Sequence, residues 1–283
     1  MLKLVILIIY FAVLIGIGLY CRKHATDVNG FVLGGRSVGP WLTAFAYGTS
    51  YFSAVVFVGY AGQFGWKYGI AATWAGIGNA IIGSLLAWVV LGRRTRIMSQ
   101  HLDSATMPQY FGKRFGSNPL KIGASVIIFI FLIPYTASLY NGLSRLFGMA
   151  FNIDYSVCII IMATLTAIYV IAGGYMATAI NDFIQGIIML FGIVAVIAAV
   201  IHSKGGFMSA LQGLANVSDP AVSDTPGIFA SFFGPDPFNL LCVVILTSLG
   251  TWGLPQMVQK FYAIDNEASI QLSLIHISEP TRH

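Results

Sequence analysis

The chain has 283 residues, of which 57% are hydrophobic and only 9% are charged, with a formal net charge of +5. Because a soluble domain carries about a quarter charged residues, this composition leaves too little charge to coat a water-facing surface. The three cysteines, Cys21, Cys158 and Cys242, show neither CxxC nor His spacing, which argues against a disulfide or metal framework. The composition therefore predicts an integral membrane protein.

Seven apolar segments follow one another along the chain, each long enough to cross a bilayer as a helix of about 20 residues. They are 2–20, 41–64, 70–92, 122–146, 155–173, 182–202 and 238–257. Lipid offers no partner to an open backbone N–H or C=O group, which favours helices. Between the segments, 93–121 is predicted to be a basic loop, and 203–237, which contains several Gly and Pro residues, an irregular connection. The predicted fold class is all-α integral membrane.

The basic residues between these segments predict the orientation of the chain. With the N-terminus outside, ten Lys and Arg side chains fall on the inner side and four on the outer side. Cytoplasmic loops carry such an excess of positive charge. The sequence thus predicts a multi-pass protein of the plasma (inner) membrane with its N-terminus outside and 93–121 in the cytoplasm. The net charge is attributed to this orientation, and no nucleic-acid partner is expected.

The last residues do not match the composition of the rest. Residues 272–282 read LSLIHISEPTR, which is the in-frame translation of a transposase adapter used to prepare sequencing libraries. We therefore expect 271–283 to be a non-native tail and 1–270 to be a partial membrane domain, with the natural protein continuing beyond it. Such a partial domain is not expected to transport by itself.

The second apolar segment is a candidate ion site because small and polar residues interrupt it. Gly48, Thr49, Ser50 and Ser53 cluster near its middle. A weakened helix there would expose backbone carbonyls as hard oxygen ligands suited to Na⁺. Small residues of this kind also mark close helix–helix packing, and composition alone favours packing.

The fourth and seventh segments offer polar groups for a solute. Tyr135 and Tyr140 follow Pro134 in the fourth segment. Tyr140 belongs either to a binding surface or to an interfacial aromatic belt, whereas the deeper Tyr135 favours a binding role. In the seventh, Trp252 and Gln256 lie beside Gly250, Gly253 and Pro255, a combination that predicts a broken helix. The break is either a structural kink or a helix end aimed at a substrate.

Asp182 is the acidic residue nearest to an apolar interior. An ionisable group inside a membrane is by default a functional candidate, although an Asp in a first helical turn also stabilises the helix dipole. The GGR and GKRFG stretches lack the spacing of a phosphate-binding loop, and no arrangement of nucleophile, base or carboxylate pair is placed for catalysis. No enzyme is predicted.

Four stretches resemble the sodium:solute symporter family. FVLGGRSVGPWLTAFAYGTSYFSA (31–54) resembles its "FLGGRSL…W" motif and first core helix, and ATMPQYFGKRFGS (105–117) resembles "LPEYLGKRFGS". GGYMATAINDFIQGIIMLFG (173–192) is similar to "GGLKAVIWTDVIQGVIMLVG", and WGLPQMVQKFYAIDNEASI (252–270) to "GQPQIVQRFYAVKD". The motifs occur in the family's order over about 31–270.

The resemblance implies a leucine-transporter-like inverted-repeat fold. Segment 2–20 would be the extra N-terminal helix, the next five segments the first five-helix repeat, and 238–257 the sixth core helix. It also implies Na⁺ as the coupling ion, bound by the backbone carbonyls of Thr49 and Phe52 and by hydroxyls of an eighth core helix beyond this chain. Asp182 matches an acidic residue on the sodium exit path.

The solute residues implied by the resemblance are Ser50, Tyr51, Ser53, Tyr135, Trp252 and Gln256. Sodium/proline symporters carry Asp at the position of Tyr51, and their GQP is Gly253-Leu254-Pro255 here, which argues against proline. Sugars, other amino acids, carboxylates and vitamins remain open.

These features lead to one hypothesis and two alternatives. The hypothesis is a secondary active transporter that couples Na⁺ to the uptake of a small polar organic solute, with membrane lipid as its surroundings and no assigned oligomeric state. One alternative is a symporter-like membrane sensor domain of a signalling protein, and the other is a non-transporting structural membrane protein. Proton coupling is a variant of the hypothesis, which the scarcity of buried carboxylates disfavours.

Overall fold

A computed structural model describes residues 2–52 and 60–270. Within these ranges the chain is almost entirely helical and contains only two isolated β-bridges, Val38 with Ile264 and Asp219 with Ser223. The predicted all-α fold class is confirmed at this level. The helices are α1 (Leu2–Cys21), α2 (Val28–Leu33), α3 (Pro40–Tyr51), α4 (Ala61–Tyr68), α5 (Thr73–Gly78), α6 (Arg93–His101), α7 (Met107–Phe115), α8 (Asn118–Phe151), α9 (Tyr155–Ser203), α10 (Phe207–Ala215), α11 (Pro237–Gly250) and α12 (Pro255–Ala263).

Three helical stretches of the described ranges are long and apolar enough to cross a membrane: Ala61–His101, Asn118–Phe151 and Tyr155–Ser203. A fourth results if α11 and α12, which are bent by 51° across a short break, are counted as one span. Two predicted segments, 155–173 and 182–202, belong to the single helix α9, which is interrupted only at Gly174. The structure therefore supports a multi-pass arrangement but does not reproduce seven separate apolar helices.

Helix α9 turns at a single glycine. Its 49 residues would extend about 73 Å if straight, whereas the hydrocarbon layer is about 30 Å thick. Gly174 leaves the helical conformation with φ 56° and ψ −148°, a combination that residues with a Cβ avoid. A Cβ there would lie 2.7 Å from the carbonyl oxygen of Phe31, so the absence of a side chain also lets α9 approach α2 closely. The residues between the two predicted segments, 174–181, are helical apart from Gly174.

The stretch 93–121, predicted to be a loop, is largely helical, so this prediction was wrong. Helix α7 begins at a local cap in which the Thr106 hydroxyl accepts a hydrogen bond from the backbone N–H of Gln109, and it ends at Gly116 in the left-handed conformation. These are ordinary start and stop signals for a helix. The stretch 203–237 is mostly irregular, as predicted, but includes α10 and a 3₁₀ turn at Ile228–Ala230.

Two arginines fix the end of α12 to the rest of the molecule. Arg36 donates to the backbone oxygens of Ser99, Ser104 and Tyr262, and Arg96 donates to those of Ile264 and Asp265. Burial lowers the pKa of the Arg36 guanidinium, and Asp103 partly opposes this. Both arginines are among the ten basic residues that the sequence places on the inner side, and they join α12 to α6 and to the start of α3.

Candidate functional site

A cavity of about 450 Å³ lies between the end of α3, the middle of α8 and the start of α12. Its lining combines hydroxyls, a phenol and two amides with leucine side chains. The residues are Thr49, Ser50, Leu132, Tyr135, Thr136, Leu139, Pro255, Gln256 and Gln259. Since a polar solute requires a few placed polar groups in an otherwise apolar cavity, this composition suits one. Four residues predicted from the sequence, Thr49, Ser50, Tyr135 and Gln256, therefore meet in one place.

Helix α3 runs to the rim of this cavity and stays helical at Gly48, Thr49 and Ser50, the first three residues of the predicted cluster. The backbone is helical through Tyr51, and the Thr49 hydroxyl donates to the carbonyls of Phe45 and Ala46, which satisfies this polar group within the helix. The chain leaves the helix at Phe52, with φ −87° and ψ 63°. Ser53 lies outside the described residues. The helix thus ends inside the predicted cluster, at the second of the two proposed carbonyl ligands.

The predicted break in the seventh segment is confirmed. A 3₁₀ turn, Thr251–Gly253, follows α11, Leu254 is extended, and α12 begins at Pro255, whose missing N–H costs nothing in a first turn. The break points the Gln256 side chain into the cavity. Both amide atoms of Gln256 are shielded from solvent and have no hydrogen-bond partner in the described chain. A buried amide without partners costs about 1–3 kcal/mol, which a bound polar ligand would offset.

Tyr135 lines the cavity from α8, one residue after Pro134, which lies inside the helix. Proline lacks the N–H that would close the helical bond to the Ile130 carbonyl, so α8 has one backbone hydrogen bond fewer one turn before Tyr135. Tyr140 does not line this cavity. The sequence favoured a binding role for the deeper Tyr135 and left Tyr140 open, and only Tyr135 lines the cavity.

Tyr51 and Trp252 lie elsewhere. The Tyr51 hydroxyl donates to the Asn79 side-chain oxygen at 2.5 Å and accepts from Thr251 at 3.3 Å. The Trp252 ring nitrogen donates to the backbone oxygen of Ile82. Both side chains join α3 and the helix break to the π-helical stretch Asn79–Leu86. Neither lines the cavity, so the structure does not support a direct solute contact for these two predicted residues.

Asp182 pairs with a residue that the sequence analysis missed. The Lys260 ammonium of α12 lies 3.6 Å from its carboxylate and 4.9 Å from the centre of the Tyr175 ring. Asp182 follows the Gly174 turn by two helical turns, so the alternative of a first-turn dipole interaction is wrong. Helix α9 packs against α3 next to Asp182, where the Phe183 ring lies 4.8 Å from the Phe45 ring. Lys260 follows the last predicted apolar segment, 238–257, by three residues and was counted with the inner-side basic residues. The pairing of opposite charges inside a membrane was therefore the only available signal.

The cavity has no net charge, because the Tyr135 phenol is the only ionisable group among its nine lining residues. The Asp182–Lys260 pair lies behind the Thr49 side of the cavity and has no net charge. Across the described ranges, no three His, Cys, Asp or Glu side chains come together as a metal-binding group. The arrangement can bind a small polar molecule without formal net charge.

Comparison with known proteins assigns the chain to a family. The family model for the sodium:solute symporter family matches residues 31–278. The chain belongs to the sodium:solute symporter family. The resemblance of the four motifs is thereby confirmed. The match ends inside the tail that the sequence marks as non-native, so the boundary at 270 stays a prediction.

Two bacterial relatives of this symporter family member are proline transporters by name. The osmoregulated proline transporter OpuE of Bacillus subtilis is 31% identical over 259 residues, covering 90% of this chain and 51% of that protein. The sodium/proline symporter of Staphylococcus aureus is 32% identical over 274 residues, covering 92% of this chain and 49% of its own length. The chain spans about half the length of the relatives it matches. Family and relatives are transporters, which favours neither an enzyme nor the sensor alternative.

Proposed function

We propose that the chain is part of a transporter that couples Na⁺ to the symport of a small polar organic solute with no net charge. The observation that carries the proposal is the Gln256 amide, which is shielded from solvent, unpartnered and aimed into a neutral cavity. An amide donates and accepts, so it can recognise a carboxylate, an amino group or a hydroxyl of the solute. Ser50 and Tyr135 supply further hydroxyls on the facing walls.

The coupling ion is proposed to bind at the end of α3 through the carbonyls of Thr49 and Phe52. Oxygen dipoles of the backbone replace the hydration shell of a hard monovalent cation well. The helix leaves its regular conformation at Phe52, which supports a role for this end of α3. Asp182 lies on the neighbouring helix, and we propose that it serves the ion's path to the cytoplasm. Ser53, beyond the described residues, keeps its proposed place beside the ion.

Proline is the first solute to test. The relatives' names support it, and a zwitterion matches the neutral cavity. The sequence argued against proline because Tyr51 replaces an Asp. Tyr51 bonds Asn79 outside the cavity lining, so this difference does not alter the proposed solute contacts. For the same reason we leave Tyr51 and Trp252 out of the proposed solute site.

The proposed setting is the plasma membrane, with the N-terminus outside, the stretch 93–121 in the cytoplasm and lipid around the spans. The exposed basic residues Arg93 and Arg94 of α6, and Lys113 and Arg114 of α7, support this orientation. We further propose the leucine-transporter-like inverted-repeat fold, to which the broken α11–α12 pair and the cavity beside it correspond. No nucleic-acid partner is proposed, and no oligomeric state is assigned.

The test is uptake into proteoliposomes by the protein as encoded in its source genome, with the coding sequence downstream of codon 270 recovered. Labelled proline uptake is measured with an inward Na⁺ gradient and with an equal K⁺ gradient, and competed with neutral, anionic and cationic solutes. We expect Na⁺-dependent uptake that Gln256→Leu lowers at least about tenfold and that the exposed control Ser125→Ala leaves unchanged. Uptake that ignores Na⁺, or a downstream signalling module in place of further spans, would refute the proposal.

A further inference from the structure

A second cavity lies at the far end of α8, where the chain turns into α9. Its volume is about 560 Å³, and its lining is an arginine, an amide, a phenol and a hydroxyl beside apolar surface. The residues are Asn141, Ser144, Arg145, Gly148, Met149 and Tyr155. It shares no residue with the solute cavity. Along α8, Ser144 lies nine residues from Tyr135, a rise of about 14 Å.

The arginine of this cavity is held in one orientation but not neutralised. The Arg145 Nε atom donates to the Asn141 side-chain oxygen at 2.9 Å, and the Tyr155 hydroxyl donates to the same oxygen at 3.0 Å. No carboxylate of the described ranges lies within ion-pairing distance of Arg145. Because the Nε bond fixes the guanidinium plane, its two terminal nitrogens remain available as a planar pair of donors.

Ser144 is an independent sign that this cavity binds something polar. Its side chain is completely buried, with 0% exposure, and its hydroxyl has no hydrogen-bond partner in the described chain. Serines within helices ordinarily donate to a carbonyl of the preceding turn, as Ser125 and Ser138 of α8 do. Ser144 therefore keeps an unused donor in the same cavity as the guanidinium, and an acceptor with several oxygens would satisfy both groups.

The position of the cavity indicates where that acceptor comes from. Arg145 lies eleven residues beyond Pro134, close to the middle of the predicted span, which is a rise of about 16 Å and places it at the edge of a hydrocarbon layer about 30 Å thick. The side chains around it are apolar and outward-facing, including Met149 at 77% exposure and Leu146 at 42%. A tyrosine and an arginine at this depth, beside apolar surface, suit the level of lipid headgroups.

We propose that this cavity binds the phosphate of a phospholipid headgroup, with Arg145 and the Ser144 hydroxyl donating to the phosphate oxygens. Asn141 and Tyr155 hold the guanidinium in place. The acyl chains lie along the apolar face of α8 near Leu146 and Met149. The shared chemistry is that of an oxyanion, and a soluble phosphate is the other source that such a site would accept. The proposal is independent of solute transport, since the two cavities share no side chain.

The test is native mass spectrometry of the purified full chain with phospholipids of one acyl composition. Dioleoyl phosphatidylglycerol is compared with dioleoylglycerol, which has the same acyl chains and no phosphate. We expect retained phosphatidylglycerol to fall about tenfold in Arg145→Gln, the loss of one charge-assisted contact, and less in Ser144→Ala and Arg145→Lys. Lys204→Gln is the matched control, because Lys204 is an exposed cation at the corresponding end of α9. Lys204→Gln should keep the amount of retained phosphatidylglycerol within about twofold of that of the unmodified chain.

Three results would overturn the proposal. One is equal retention of dioleoylglycerol and phosphatidylglycerol, which would assign binding to the acyl chains alone. Another is a loss in Lys204→Gln as large as in Arg145→Gln, which would assign it to general charge attraction. The third is Arg145-dependent binding of inorganic phosphate with phospholipid retention unaffected, which would assign the site to a soluble anion. Thermal unfolding of each variant checks that the chain still folds. Arg145→Lys keeps the positive charge and removes only the planar pair of guanidinium donors, so it tests that pair separately.

Discussion

The ammonium of Lys260 lies 3.6 Å from the carboxylate of Asp182, and only 7% and 23% of their side chains are exposed. The chain also has an exposed pair, Arg93 with Glu267, whose atoms are closer at 2.8 Å while the side chains are 70% and 50% exposed. Exposed pairs contribute about 0–1 kcal/mol, whereas removing one partner of a buried pair costs about 3–5 kcal/mol because a charge is left uncompensated. Burial of the two side chains, rather than the distance between them, therefore decides how much a pair contributes to the free energy of unfolding.

We therefore expect Asp182→Asn to lower the free energy of unfolding by about 3–5 kcal/mol and Arg93→Gln by less than about 1 kcal/mol. The double variant Asp182→Asn/Lys260→Met should recover most of the loss, since no buried charge remains. The measurement is equilibrium unfolding in detergent micelles, followed by circular dichroism. A loss in Asp182→Asn no larger than in Arg93→Gln would show that the pair is not buried as described.

The turn in α9 should depend on the absence of a side chain at Gly174. Gly174→Ala places a Cβ in a conformation almost restricted to glycine and against Phe31, so we expect a loss of at least about 2 kcal/mol in unfolding free energy. Gly192→Ala, on the same helix with open space around it, should be neutral or stabilising by up to about 1 kcal/mol. Thermal unfolding of both variants measures the difference, and similar midpoints would argue against the turn.

Gly83 and Tyr51 should be energetically coupled. A Cβ at Gly83 would overlap the Tyr51 hydroxyl oxygen, and that hydroxyl bonds Asn79. We expect Gly83→Ala to cost several-fold more in the native background than in Tyr51→Phe, with a coupling energy of about 1–3 kcal/mol. A double-mutant cycle on unfolding free energies provides the value. Additive effects would place the phenol away from Gly83. Gly76→Ala, which meets no atom within 4 Å, serves as the control.

Arg96 should not be replaceable by lysine. Its Nε and two terminal nitrogens donate to Ile264, Asp265 and Gln100 at 2.6–2.9 Å. A single ammonium cannot reach all three acceptors, so Arg96→Lys should destabilise by about 2–3 kcal/mol although the charge is kept. The neighbouring exposed Arg94→Lys should change little. Chemical denaturation midpoints compare the two, and equal midpoints would mean that only the charge at position 96 counts.

Local chemistry made some features predictable. Gly250, Gly253 and Pro255 predicted the break because neither residue type supports a continuous helix, and the structure breaks there. Ser50, Tyr135 and Gln256 were predicted as neighbours through the family resemblance, and they line one cavity. The polarity of the stretch 93–121 predicted a loop. Its capping residues, Thr106 and Gly116, instead indicate a helix, which the structure contains.

Other features depend on contacts between distant parts of the chain. Asp182 and Lys260 are 78 positions apart, and no local pattern states that they meet. Tyr51 follows Ser50 directly, yet adjacent residues on a helix point in different directions, so one lines the cavity and the other bonds Asn79. The Thr49 hydroxyl could interrupt a helix or bond back to it, and the fold selects the second.

The attachments of Arg36 and Arg96 have a mechanical consequence. They join the start of α3, the end of α12 and helix α6 through hydrogen bonds to backbone carbonyls. We therefore expect these three segments to move together as one rigid body. Bending would then concentrate where the backbone leaves its helices, at Phe52 and Leu254. Both positions lie within two residues of the cavity wall, next to Ser50 and Pro255. A small tilt of the three joined segments would therefore widen or narrow the cavity between α3, α8 and α12.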